Sequence, residues 1–209
     1  MKILNLYAGI GGNRKLWGNN HDITAVEINP RFASVYKDHF PDDEVIVGDA
    51  HAWLLDHYKE YKFIWSSPPC PTHSSFAVVS ANSDCERTGN AKRSAVYPEM
   101  SLYQEIIFLR HFCKSKWVVE NVIPYYEPLI KGQKIQRHLF WSNFIISQAN
   151  IEADNIKEGI IGDMEKNLGF DLSNYAGLEK RKVLRNCVQP ELGKHIFNCA
   201  FKEVQSTLI

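Results

Sequence analysis

Lys2-Ile3-Leu4-Asn5-Leu6-Tyr7-Ala8-Gly9-Ile10-Gly11-Gly12 decides the fold class. A short, mostly apolar run passes into a glycine turn, and Asn13 to Trp17 read as the opening of a helix. Strand, glycine turn and helix is the start of an open α/β unit, in which backbone N–H groups can approach a ligand closely. The pattern then repeats. Asp22 to Glu27 is a second strand ending in a carboxylate, and Asn29-Pro30 supplies an N-cap and first-turn proline for a helix to about His39. Glu44 to Asp49 is a third strand, again closed by a carboxylate, with a helix around Ala52 to Tyr58. Lys62 to Trp65 is a fourth strand. A helix with Leu102, Ile106, Leu109 and Phe112 at helical spacing leads to a fifth, Lys116 to Glu120. Strands alternating with helices imply a mostly parallel, doubly wound sheet with helices on both faces.

Beyond Pro124 the pattern weakens. His138 to Ile146 suggests a strand or hairpin, residues 147–182 are polar and poorly periodic, and Pro190 to Phe201 reads as a closing helix with Leu192, Ile196 and Phe197 inward. At 209 residues the chain can bury one good core with a small appended module. With 24 basic and 24 acidic side chains there is no global basic field, which leaves room for a local one. Five cysteines without a CxxC pair suggest neither a disulfide framework nor a zinc ribbon, and His51 and His57 lack metal-pair spacing. No metal site is expected. Nothing resembles a signal peptide or a long apolar span, so a cytoplasmic setting is the expectation.

After the fourth strand comes Ser66-Ser67-Pro68-Pro69-Cys70-Pro71-Thr72-His73-Ser74. The prolines stop the ladder and fix the backbone around a thiol at the carboxyl end of a strand, where open α/β sheets place their chemistry. Cys70 is therefore a candidate nucleophile. Glu27 is placed to accept from ribose hydroxyls and Asp49 from an exocyclic adenine amine. The turn lacks full GxGxxG spacing, which favours S-adenosylmethionine over a dinucleotide.

These blocks together resemble the DNA cytosine-5 methyltransferase family. The matching residues are Leu6 to Gly12, Glu27-Ile28-Asn29, Gly48-Asp49, Pro68-Pro69-Cys70, Glu120-Asn121-Val122, and Arg185-Asn186-Cys187-Val188-Gln189-Pro190-Glu191-Leu192, in the family's order. The resemblance implies a Rossmann-like S-adenosylmethionine-dependent fold and a covalent mechanism on cytosine. Cys70 would be the nucleophile, Glu120 the acid at N3, and Arg137 the residue orienting base and acid. The cofactor would be held by Tyr7, Ala8, Gly9, Ile10, Gly11, Gly12, Glu27, Ile28, Asp49, Ala50, Pro69, Asn186 and Cys187. Double-stranded DNA would be the partner, its cytosine flipped into the pocket. Ser74, Arg87, Lys92, Arg93 and Asn121 are its expected contacts, the three cations lying on a polar loop from Ser74 to Tyr97. A monomer is expected. The domains implied are 1–141 for catalysis and cofactor, 142–182 as a reduced target-recognition region, and 183–209 packing back on the catalytic part.

Departures from the pattern are also legible. Pro71 stands where glutamine is usual, Asn5 where aspartate is usual, and Arg185 where glycine is usual. The Gln-x-Arg-x-Arg block is reduced to Gln136-Arg137-His138-Leu139-Phe140, with Lys131 or Lys134 as electrostatic substitutes. A recognition region of about forty residues, whose basic cluster is Lys180-Arg181-Lys182, reaches few base edges, which implies a very short target. Two other readings stay open at this stage. One is the same chemistry on RNA, in a tRNA-methylating branch whose Cys-Phe-Thr tripeptide is missing here. The other is a catalytically silent nucleic-acid-binding relative.

Overall fold

The computed structural model describes residues 1–75, 96–148, 151 and 160–202. Its centre is a seven-stranded sheet of β1 (Lys2–Leu6), β2 (Asp22–Glu27), β3 (Glu44–Val47), β4 (Phe63–Ser66), β5 (Lys116–Val122), β6 (Gln133–Ile135) and β7 (His138–Ser142), in the order β3-β2-β1-β4-β5-β7-β6. The first five strands are parallel, and β7 and β6 are antiparallel additions at one edge. Consecutive strands run outward from β1 to β3 and then return to β4 on its other side. The strand order thus reverses at β1/β4, the switch point where ligands enter such sheets.

The helices are α1 (Pro30–His39), α2 (Ala50–His57), α3 (Ser101–Phe112), α4 (Ile161–Leu168), α5 (Lys180–Arg185) and α6 (Pro190–Phe201). Their starts follow local chemistry. Asn29 Oδ1 accepts from the Arg31 amide with Pro30 in the first turn, and Asp49 Oδ1 accepts from the amides of His51 and Ala52. One apolar layer packs α2 and α3 on the sheet, through Leu54, Leu102, Ile106 and Leu109 against Leu4, Ile64 and Val119. The opposite layer packs Leu192, Ile196 and Phe197 of α6 against Ile3, Phe63, Trp65 and Val118. Both strand faces are thus covered, so β1 and β4 read as continuous apolar runs.

The expected helix at Asn13 to Trp17 does not form. Residues 8–17 are a series of tight turns, closed by Gly11 N–H to Ala8 O, Arg14 N–H to Gly11 O and Trp17 N–H to Arg14 O. Three observations explain this. Gly9, Gly11 and Gly18 have positive φ, which no helix continues through. The backbone of Asn13 lies flush against α6, where a Cβ on Gly193 would be 2.3 Å from Asn13 O. Arg14 turns inward to form a buried two-bond pair with Asp43, at 2.9 and 3.0 Å. The segment is held by tertiary partners in place of a helical ladder. Beneath it, Asn5 and Asn13 exchange side-chain amide contacts at 2.7 and 3.5 Å, an arrangement that suits asparagine at position 5.

Within 160–182, α4 and the chain after it pack Met164, Leu168, Phe170 and Leu172 against Ile10 and Val35. Tyr175 donates to Asp38 at 2.7 Å and Arg31 to Gly177 O at 3.3 Å. Residues 160–182 of the expected recognition region therefore lie against α1 and the glycine turn, whereas Phe144, Ile146 and Ile151 pack on the α6 side of the sheet.

Candidate active site

Two adjacent parallel strands deliver the chemistry. β4 and β5 pair with Ser66 opposite Val119, so Ser67 to Cys70 leave the sheet beside Glu120, which stays in β5 opposite Phe140 of β7. The Pro-Pro-Cys segment is tied down at both ends. Ser67 N–H donates to Leu6 O at 3.3 Å, and Cys70 O accepts from the amides of His73 and Ser74 at 3.0 and 3.1 Å. Between them, the Asn121 side chain donates to Pro68 O at 2.9 Å. Asn121 is 1% exposed, so the residue expected among the nucleic-acid contacts instead clamps the cysteine turn to β5. Ser74 bridges to Pro124 beside the same turn. His73, fully buried, shares a 2.6 Å contact with the Tyr126 hydroxyl and closes the turn from below.

Cys70 is half-buried and Pro69 exposed. Burial pushes the Cys70 thiol above its ordinary range, and the neighbouring Glu120 charge adds to this, while its own backbone and the Arg137 charge act the other way. Glu120 is 7% exposed, and burial pushes its carboxyl up to about 7, against opposing effects of a Ser67 hydrogen bond and the Arg137 charge. The Ser67 oxygen already accepts from Trp65 Nε1 at 2.8 Å, which leaves its proton for Glu120. A carboxylic acid that keeps a proton near neutrality thus stands beside a thiol.

Arg137 is placed differently from its expected role. It is exposed at the tip of the β6–β7 hairpin, and its guanidinium donates to Arg185 O at 3.3 Å and Cys187 O at 3.1 Å. It holds the C-terminal block, and only its field reaches Cys70 and Glu120. The residue facing Glu120 is the next one, His138, with Nε2 3.6 Å from the carboxylate. Sequence reasoning passed over it. The signal was strand alternation: if Arg137 turns outward, His138 turns in.

The cofactor-side residues gather at the ends of β1, β2 and β3. Tyr7 and Gly9 have φ of 53° and 56°, and nothing lies within 4 Å of where a Gly9 Cβ would stand. The Glu27 carboxylate accepts from Gly9 N–H and Asn29 N–H, both at 2.8 Å, so it shapes the turn and keeps a lone pair on each oxygen. Ile28 is 69% exposed beside it, and Asp49 uses Oδ1 for its cap and keeps Oδ2. Open space over a positive-φ glycine, an exposed aliphatic side chain and two acceptor carboxylates fit a ribosyl-adenine group. Ala8, Ile10 and Ala50 are buried behind this surface. Gly12 admits the C-terminal block, since a Cβ there would stand 2.7 Å from Val188 O and 2.8 Å from Cys187 Cβ. Cys187 is buried and Asn186 exposed.

One group here had no sequence signal. Glu105 of α3, fully buried, accepts from Tyr7 OH and from Ser66 Oγ at 2.6 Å and meets His51 Nδ1 at 3.1 Å. It joins α2, α3 and the ends of β1 and β4 under the site. Arg87, Lys92 and Arg93 lie outside the described residues. Among the described residues no cluster of three metal-ligating side chains occurs, and no helix is long and apolar enough to cross a membrane.

Residues 1–101 match the family of C-5 cytosine-specific DNA methylases. Among solved structures, a DNMT2 variant from Spodoptera frugiperda is similar at 27% identity and TM-score 0.37, over 58% of this chain and 35% of that one. An S-adenosylmethionine-dependent methyltransferase from Agrobacterium tumefaciens is similar at 13% identity and TM-score 0.41, over 60% and 40%. A methyltransferase from Entamoeba histolytica, EhMeth, is similar at 13% identity and TM-score 0.36, over 58% and 38%. The matched part thus spans about a third of the first of these proteins. No curated protein matches the chain.

Proposed function

We propose that this chain, which carries a C-5 cytosine-specific methylase domain over residues 1–101, methylates cytosine in double-stranded DNA through a covalent bond from Cys70. The observation that carries the reading is the proximity of Cys70, on the loop after β4, to a buried, proton-retaining Glu120 on the neighbouring strand β5. Cytosine C5 is a weak nucleophile. Addition of the Cys70 thiolate to C6, with transfer of the Glu120 proton to N3, converts the ring into an enamine whose C5 is nucleophilic. S-adenosylmethionine, when bound, supplies the methyl group. The residues that would hold it are the Tyr7 to Gly12 turn, Glu27, Ile28 and Asp49, with Asn186 and Cys187 at the rim. Transfer of the C5 proton to water then expels the Cys70 thiolate from C6, and the N3 proton returns to Glu120. Proline on either side of Cys70 and the Asn121 clamp limit the thiol's wandering, which is how a turn contributes to rate before chemistry begins.

In duplex DNA the target atoms lie within the stack, so the base is flipped to reach Cys70. The test is labelled methyl transfer from S-adenosylmethionine to duplex DNA, single strands and tRNA. Duplex DNA is expected to be labelled, C70S to be inert, and 5-fluorocytosine DNA to form a stable protein adduct. Transfer only to tRNA would move the reading to the RNA substrate. Cofactor binding without transfer to any of them would make the protein a silent relative.

A further inference from the structure

The acid of this site has an unusual neighbour. Glu120 meets Ser67 and Cys70 from the loop after β4, and the Arg137 charge and His138 from the β6–β7 hairpin. Arg137 is committed to two carbonyls of residues 185 and 187. His138 is 5% exposed, its Nε2 lies 3.6 Å from Glu120 Oε1, and its Nδ1 is buried with no partner among the described residues. The backbone fixes this placement, because β7 pairs with β5 so that His138 stands opposite Val122 and Phe140 opposite Glu120. An imidazole held this way is a short, rigid spacer with one nitrogen towards the acid and the other left for a group that arrives.

We propose that His138 is the positioning residue of Glu120: an uncharged imidazole that aims the carboxyl group at the flipped base, with Nδ1 completing its hydrogen bond on the base or a water it carries. This rests on the proposed activity and adds to it the residue that orients the acid. Neutrality is the point of the arrangement. A fixed cation at that distance in a buried place favours the carboxylate and strips the acid of its proton, whereas a neutral ring leaves the proton available. Burial holds the imidazole uncharged, its pKa pushed down to about 3 with the neighbouring Arg137 acting in the same direction.

Three variants test this: H138Q keeps a neutral polar group, H138L keeps bulk alone, and H138R adds the charge. The Glu120 carboxyl is titrated by infrared difference spectroscopy in the cofactor-free chain, with E120Q assigning the band. Its midpoint is expected to stay in place in H138Q and to fall by about one unit or more in H138R. Single-turnover methyl transfer at fixed pH is expected to drop about 100-fold in H138L and to be largely restored in H138Q, with S-adenosylmethionine affinity unchanged in both. An unchanged midpoint in H138R, or equal rates in H138L and H138Q, overturns the proposal. The infrared arm is independent of turnover, so a wild-type chain that titrates as expected yet transfers no methyl group would count against the activity alone.

Discussion

Glu120 and Cys70 are each pushed towards their protonated forms by the same burial, and this has a kinetic consequence. The proposed catalysis asks for the acid form of one and the thiolate of the other. Glu120 loses its proton near pH 7, while Cys70 ionises only above the usual thiol range. The population holding both correct forms is therefore small and constant between those values, and falls on either side. The single-turnover rate is expected to climb up to about pH 7, hold a plateau, and fall only in the alkaline range of the thiol. A rate that peaks sharply below pH 6 would contradict the pairing. Glu120 also carries a stability cost. Its folded pKa of about 7 exceeds the ordinary 4.5, so the folded state binds the extra proton between those values and loses stability as pH rises through them. E120Q is expected to abolish transfer yet melt higher than wild type above pH 7. Melting curves of the two proteins at pH 5 and pH 8 check this, and the difference should be much larger at pH 8.

At the scale of elements, the closing helix α6 is the piece that makes a distant stretch of sequence part of the site. Pro190 starts it, and Leu192, Ile196 and Phe197 bury it on the sheet. Burial of such side chains contributes on the order of 1.5–3 kcal/mol each, which far exceeds the intrinsic helix preference of a twelve-residue segment. Its close approach depends on Gly193. Alanine there gains about 1 kcal/mol of helix propensity but puts a Cβ 2.3 Å from the backbone oxygen of Asn13, which cannot yield as a side chain would. Overpacking of this kind costs about 1–3 kcal/mol or more. G193A is therefore expected to lower Tm by several degrees and to weaken cofactor affinity, because the Asn13 turn continues from the Tyr7 to Gly12 loop. G162A in α4, where the added Cβ meets open space, is the matched control and should leave Tm unchanged or raise it.

At the scale of the whole molecule, the proposed activity needs a surface that reads DNA. Residues 160–178 pack on α1 and the glycine turn through Met164, Leu168, Phe170 and Tyr175. With formal charge zero, backbone affinity in the proposed DNA complex comes from local cations rather than a global field. A short target is the expected outcome, and mapping methylated cytosines in DNA from cells expressing the chain checks it. A long, strictly defined site would overturn this. The parallel core, the strand ends bearing Glu27, Asp49, Cys70 and Glu120, and the closing helix were all legible in the sequence. Apolar runs of strand length, proline and asparagine signals and acidic strand ends are local codes, and local codes survive in one dimension. The exchange of Arg137 for His138 beside the acid was not legible, because it turns on which way one hairpin residue points. Nor was the Glu105 hub, a carboxylate inside an otherwise ordinary helix pattern, nor the loss of the helix at Asn13, where propensity yields to Gly193 and Asp43 arriving from elsewhere. The sequence by itself determined the parallel core and singled out Cys70 and Glu120 as candidates, since each is written in contiguous residues. Only the tertiary structure decided what surrounds that acid, because burial and charge there are set by side chains that meet across separate strands.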